Sequence, residues 1–180
     1  MPVPNQGVTA SVTPVITVRP RVETDLAALS DVLARQQPAS GYPHRWPLPF
    51  PVRDFVARRD QDRSWVAEVD GVVVGHVAVG PPTGEEGTAF VEATGRSGAE
   101  ELALVAVLFV DPSVKGTGVG GRLIATAVDW ARARGRLPVL DVLRGPVIEV
   151  YRHLGWQPIG ELRPGWLPDD APPMVLMQLR

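Results

Sequence analysis

The amino-acid sequence predicts a single α/β domain, and three observations carry that expectation. A chain of 180 residues with 44% hydrophobic and 21% charged residues has the size and composition of one globular unit with a real core. Two β-rich runs, 64–69 and 72–79, are joined by Asp70-Gly71, the signature of a tight hairpin. An apolar run at 102–110 leads through a proline turn into a loop with Gly116, Gly118, Gly120 and Gly121, and a helical period follows.

The elements follow in order. Residues 1–14, with prolines at 2, 4 and 14, read as a disordered leader, and 15–180 as the domain. A short strand at 15–18 precedes a helix over 24–36, which lines up Leu26, Leu29, Val32 and Leu33 on one face. Asp25 stands in its first turn, where a carboxylate suits the helix dipole. Prolines punctuate 38–51, a segment with Tyr42, His44, Arg45, Trp46 and Phe50, and proline stops helix and central strand alike. This segment is therefore a shaped loop, and a second short helix follows at 52–59. After the hairpin, residues 80–99 turn polar and glycine-rich, with Glu85, Glu86 and Glu92 around a hairpin-like 88–91. They read as a flexible excursion of a length uncommon unless functional or disordered.

The run at 102–110 is almost continuously apolar, as a strand covered on both faces should be. The helix after the loop places Val119, Leu123, Ala127 and Trp130 on one stripe and stops at Gly135. A strand at 137–142, a short helix opened by Pro146, and strands at 156–162 and 174–179 complete the chain. The order is βααβββαβαββ.

Composition excludes several function classes. A net charge of -2 gives no basis for nucleic acid or an anionic membrane surface as partner. The absence of cysteine rules out disulfides, thiolate metal sites and a cysteine nucleophile. His44, His76 and His153 lack metal-ligand spacing, so no metal is expected. Neither a signal peptide nor a membrane span is visible, which makes a cytoplasmic protein the default.

The glycine loop carries the chemistry. Glycines adopt positive φ and bring backbone N–H groups close to a ligand, and the helix N-terminus behind them adds positive charge. Together they make an anion cradle. Gly116-x-Gly118-x-x-Gly121 fits a dinucleotide fingerprint, with Asp141 where that pattern expects an acid. The context does not fit: Asp111-Pro-Ser-Val-Lys115 separates strand from loop, and too little chain follows Asp141 for a doubly wound sheet. No Lys-Ser/Thr pair closes a Walker loop. The stretch Leu108-Phe-Val-Asp-Pro-(x)2-Lys115-Gly-Thr-Gly-Val-Gly-Gly121 instead resembles the acetyl-CoA pyrophosphate loop of the GNAT acetyltransferases, Arg/Gln-x-x-Gly-x-Gly/Ala, with Lys115 where Arg or Gln is usual. Tyr151-Arg-His-Leu-Gly155-Trp156 resembles the same family's Tyr-x-x-x-Gly-Phe/Trp signature at the right distance. Arg144 stands where that family commonly has Asn.

This resemblance implies a GNAT-type α/β fold, with a mixed, mostly antiparallel central sheet flanked by about four helices. It implies an N-acetyltransferase that moves the acetyl group of acetyl-CoA, as co-substrate and without a metal, directly to an amine of a small molecule or peptide. The backbone of Leu108, Phe109 and Val110 would pair with the pantetheine arm. Amides of Lys115, Gly116, Thr117, Gly118, Val119, Gly120 and Gly121 would hold the pyrophosphate, and Tyr151 would protonate the departing thiolate. The loop 38–51 becomes either a wall of the acceptor pocket or a plug at the core edge. Leu104 occupies the position where some members carry a basic glutamate; Glu100, Glu101, His76 and His44 are the remaining candidates, and no base is assigned. If Glu85, Glu86 and Glu92 gather at the acceptor mouth, a cationic acceptor is implied. A homodimer is compatible with the family. The rival reading is a catalytically silent acyl-CoA-binding regulatory module.

Overall fold

The computed structural model describes residues 14–180, so the leader expected at 1–14 lies, apart from Pro14, outside the described residues. Seven strands form one sheet: β1 (Ile16–Pro20), β2 (Arg63–Val69), β3 (Val72–Gly80), β4 (Leu102–Val110), β5 (Leu137–Leu143), β6 (Gln157–Leu162) and β7 (Met174–Gln178). Their spatial order is β1-β2-β3-β4-β5-β7-β6, and every pairing is antiparallel except β4 with β5. Five α-helices flank it: α1 (Leu26–Ser40), α2 (Val52–Val56), α3 (Gly84–Thr94), α4 (Val119–Arg132) and α5 (Val147–His153). The expected mixed, mostly antiparallel sheet is what forms, with one helix more than expected.

The β2–β3 hairpin turns on Asp70 (φ 50°) and Gly71 (φ 81°). Two successive positive φ values give the turn whose twist matches its flanking strands. β4 is apolar throughout because helices cover both its faces. Ala103 and Val105 pack with Val119, Leu123, Ala127 and Ala131 of α4. On the other face, Val107 and Phe109 meet Leu26, Leu29 and Leu33 of α1, while Leu102 and Leu104 meet Phe90 of α3.

The extra helix corrects the reading of 80–99 as a flexible excursion. Two glycines and two glutamates in its first turn hide the helical period, but Phe90 is fully buried beneath Leu137, Val139 and Leu176. Burying such a side chain is worth about 1.5–3 kcal/mol, enough to override weak local propensity. Gly87 is required there, since a Cβ would stand 2.8 Å from the Pro82 carbonyl oxygen. The first helix also runs to Ser40, four residues past its expected end, with Pro38 in its last turn and Gly41 (φ 69°) closing it. α2 stops at Val56, short of the expected Arg59.

Two features of β4 open a space beside the sheet. It pairs with β5 only from Leu102 to Leu104, opposite Leu137 to Val139, yet it stays paired with β3 as far as Val110. Beyond Leu104 the two parallel strands part, leaving a wedge. Beside the wedge β4 bulges: the register shifts between Ala78↔Ala106 and His76↔Phe109, and Val107 adopts φ 51°. His76 fixes the bulge by donating from Nδ1 to the Val107 carbonyl at 2.9 Å, with its ring stacked on Phe109. Among the described residues, no helix is long and apolar enough to cross a membrane.

Candidate active site

The glycine loop is held from behind. The Asp111 carboxylate accepts from the Ser113 N–H (3.0 Å), the Ser113 hydroxyl (2.7 Å) and Arg35 (2.7 and 3.0 Å). Two turn bonds then fold the chain forward, from Lys115 N–H to the Pro112 carbonyl and from Thr117 N–H to Val114. Gly116 and Gly118 sit at φ 82° and 87°, where a side chain would be strained. Gly118 is also the N-cap of α4, without a capping side chain. The first-turn N–H groups of Val119, Gly120 and Gly121 thus lack intrahelical acceptors and lie at the positive end of the helix dipole. No atom lies within 4 Å of the place a Cβ would take at Gly116, Gly118 or Gly121. The loop therefore presents bare donors to open space, a geometry that fits a pyrophosphate. Only backbone is offered by Val119 and Phe109, whose side chains are buried.

From this loop the wedge runs along the unpaired edge of β4, past Leu108, Phe109 and Val110. Tyr151 of α5 stands beside it, its ring edge-on to buried Trp156 at 6.2 Å between centroids. The Trp156 N–H donates to the Tyr151 carbonyl at 3.0 Å and locks the helix end. Burial first, then the negative charge of Asp141, pushes the Tyr151 phenol up to about 12, so it keeps its proton at neutral pH. Arg144 is occupied in an ion pair with Glu161 of β6.

The opposite side of the wedge is built from side chains that come from distant parts of the chain. Tyr42 packs edge-on against Phe55 and His44. Burial raises its pKa. Asp141 shares a face of β5 with Val139, which packs against Phe90 of α3, and the Glu86 and Asp141 carboxyls influence each other's protonation. Burial is the main cause that raises both carboxyls, Glu86 to about 8. Arg58, bound to Asp60 at 2.7 and 3.1 Å, lines a neighbouring depression with Leu104, Ala106 and Val107.

Of the three glutamates expected at an acceptor mouth, only Glu86 turns inward. Glu85 accepts from the Gly165 N–H at 2.9 Å, fastening α3 to the β6–β7 loop, and Glu92 is exposed. His76 leaves the list of bases, because it is fully buried, its Nδ1 is engaged, and burial pushes it down to about 4. Glu100 and Glu101 precede β4 at the end away from the wedge, where Glu101 binds the Ser97 N–H and Arg96. Sequence reasoning weighed Asp141 only as a nucleotide-site acid and passed over Arg58. An ionisable residue inside the apolar run Leu137-Pro-Val-Leu-Asp-Val142 was the available signal.

Known proteins place this geometry in a family context. Residues 26–156 match the model of the acetyltransferase (GNAT) family. The chain is 34% identical over 118 residues to an uncharacterized N-acetyltransferase of Methanocaldococcus jannaschii, a match covering 63% of this chain and 46% of that protein. The chain spans less than half the length of the curated relatives it matches. Its fold is similar to that of a ribosomal-protein-alanine N-acetyltransferase from Brucella melitensis, with a TM-score of 0.67 and 22% identity, covering 90% of this chain and 98% of that one. An acetyltransferase from Salmonella typhimurium, solved with its cofactor acetyl-CoA, gives a TM-score of 0.66 and 19% identity, covering 92% of this chain and 93% of that one.

Proposed function

We propose, from the premise that the chain belongs to the GNAT acetyltransferase family, that it is an acetyl-CoA-dependent N-acetyltransferase acting on an amine of a small molecule or peptide. One observation carries this reading. A loop of bare backbone donors at the N-terminus of α4 opens into the β4–β5 wedge, and a protonated tyrosine stands beside that wedge.

Bound acetyl-CoA supplies an activated thioester. In the proposed reaction the free amides of Gly116 and of Gly118 to Gly121 hold the pyrophosphate, those of Lys115 and Thr117 being spent on the turn bonds, and the free edge of Leu108, Phe109 and Val110 pairs with the pantetheine arm as an added strand. Holding both reactants in one wedge turns a bimolecular step into an effectively unimolecular one. Tyr151 serves as the proton donor to sulfur. A phenol near 12 cannot simply surrender its proton to a thiolate whose thiol has a pKa of ~8.5, because that transfer is uphill. Tyr151 therefore works as a relay, passing its proton to sulfur as it takes one from the nitrogen that has bonded to the acyl carbon. No free phenolate forms.

A silent acyl-CoA-binding module is the second reading, favoured by buried Leu104 at the place where some relatives carry a base. Tyr151→Phe separates the two. An enzyme loses about 100-fold in kcat while keeping its acetyl-CoA affinity. A protein with no turnover in the wild type, tested against a broad amine panel, contradicts the enzymatic reading.

A further inference from the structure

Towards the end of the sheet away from the glycine loop, the end of β1, the loop after α2 and the start of β2 enclose a cleft of about 220 Å³. Its walls are Arg21, Arg58, Gln61, Asp62, Arg63 and Ser64. All six side chains are polar or charged, so the cleft offers nothing to an apolar ligand. Arg21 is set by the strand before it: its backbone N–H pairs with the Ser64 carbonyl at 3.0 Å. Its Nε then donates to the Ser64 hydroxyl at 2.9 Å, and its Nη1 to the Val56 carbonyl at the end of α2 at 3.3 Å. These bonds leave Nη2 without a described partner and hold the guanidinium in a half-buried place.

The acids around the cleft are each matched already. Asp60 is bound by Arg58 at 2.7 and 3.1 Å, and Asp62 by Arg136. Burial lowers the Arg21 pKa and Asp25 pulls it the other way, yet the Asp25 carboxylate is itself held by Arg19 at 2.8 Å. Among the described residues, neither Arg21 nor Arg63, exposed at the first position of β2, forms an ion pair. Two cationic forks thus line one cleft without an anion of their own. The Ser64 hydroxyl, an acceptor towards Arg21, keeps its own proton to donate. A capping role explains the bond from Arg21 to Val56, but neither the open volume beside it nor Arg63.

We propose that this cleft is an anion-binding site, which takes a carboxylate or phosphate group on Arg21 and Arg63 with the Ser64 hydroxyl as a further donor. Guanidinium presents a planar fork of N–H groups that matches both anions. The cleft also has a fixed relation to the wedge. Ser64 stands opposite Ala78 and Ala78 opposite Ala106, so it lies two strands, roughly 10 Å, from the edge that β4 frees beyond Leu104. Arg58 and Gln61 line both the cleft and the depression over Ala78 and Ala106. The anionic group therefore has two sources, an acidic tail of the acceptor or a free anion. The first source rests on the acetyl-transfer reading above; the site itself does not.

The test is calorimetric titration of the full chain, saturated with CoA so that the glycine loop is filled, with inorganic phosphate, with succinate and with neutral succinamide. Wild type, Arg21→Gln, Arg63→Gln and Arg63→Lys are compared, with circular dichroism checking each fold. The expected result is saturable binding of phosphate or succinate but not of succinamide, weakened by added NaCl. Arg21→Gln and Arg63→Gln weaken it about fivefold or more, and Arg63→Lys keeps most of it. Arg21→Gln also loses the bond to the end of α2, so Arg63→Gln, which breaks no described ion pair, decides if that variant unfolds. A second arm measures CoA release from acetyl-CoA with 6-aminohexanoate and with hexylamine. A preference for 6-aminohexanoate that Arg63→Gln removes assigns the site to the acceptor; phosphate binding without such a preference assigns it to a free anion. Wild type that binds neither anion overturns the proposal, and so does binding that both Arg→Gln variants retain. A chain that binds no CoA is titrated free: the loss in Arg63→Gln still reads the cleft, and only the acetyl-transfer reading falls.

Discussion

The two sides of the wedge are built by different means. The glycine side is backbone: N–H groups left free by a helix start, two glycines at positive φ, and an anchoring Asp111–Arg35 pair behind. The other side is made of side chains: Tyr42 from the α1–α2 loop, Arg58 after α2, Glu86 from α3 and Asp141 from β5. Backbone recognition needs a contiguous pattern in the chain, since it depends on glycine spacing and a helix boundary. Side-chain recognition needs only that separate elements converge, and nothing local marks the convergence.

That contrast can be broken from either side. The largest effect is expected at Phe90→Ala, which removes the ring that seats α3 and should lower stability by about 3–5 kcal/mol in denaturant unfolding. An unchanged midpoint would mean that α3 is not fastened by its core contact. Next comes Gly118→Glu, which places a side chain at φ 87° and a carboxylate at the helix N-terminus. It should weaken acetyl-CoA at least about 100-fold, roughly 2.7 kcal/mol, with circular dichroism checking that the fold survives. Retained affinity would dismiss the loop as the anion cradle.

A third prediction concerns pH and stability. A Glu86 raised to about 8 in the fold, against about 4.3 when unfolded, binds an extra proton in the native state between those values. Wild-type stability should therefore fall as pH rises through that window. Glu86→Gln removes this loss, so its Tm advantage over wild type should be absent below about pH 4 and grow until about pH 8. A difference that stays flat with pH would show that Glu86 titrates as an ordinary surface acid. The smallest effect is Arg35→Ala. Arg35 braces Asp111 behind the loop, so acetyl-CoA affinity should drop only about fivefold, roughly 1 kcal/mol. A loss as large as that of Gly118→Glu would give Arg35 a direct role in the cradle.

The same contrast explains which parts of the molecule were legible in the sequence. The hairpin at Asp70-Gly71 and the glycine loop were readable because each depends on a few adjacent residues whose φ values the chemistry dictates. The two spaced motifs around Gly118 and Tyr151 carried the family. The helix at Gly84–Thr94 was hidden because Gly84, Gly87 and paired glutamates lower its local signal, while Phe90 stabilises it only through strands far away in sequence. Asp141 was visible as an acid in an apolar strand, but its partner Glu86 is 55 positions upstream on that unforeseen helix. The β4 bulge at Val107 was equally silent, since it arises from pairing with His76 and not from a glycine or proline.

The measurement that bears most directly on the glycine loop as a cofactor cradle is calorimetric titration of the wild-type protein with acetyl-CoA. Saturable binding at one site per chain is expected, with a Kd well below about 1 mM. No heat of binding at about 1 mM acetyl-CoA would contradict the cradle, and the glycine loop would then be a structural turn.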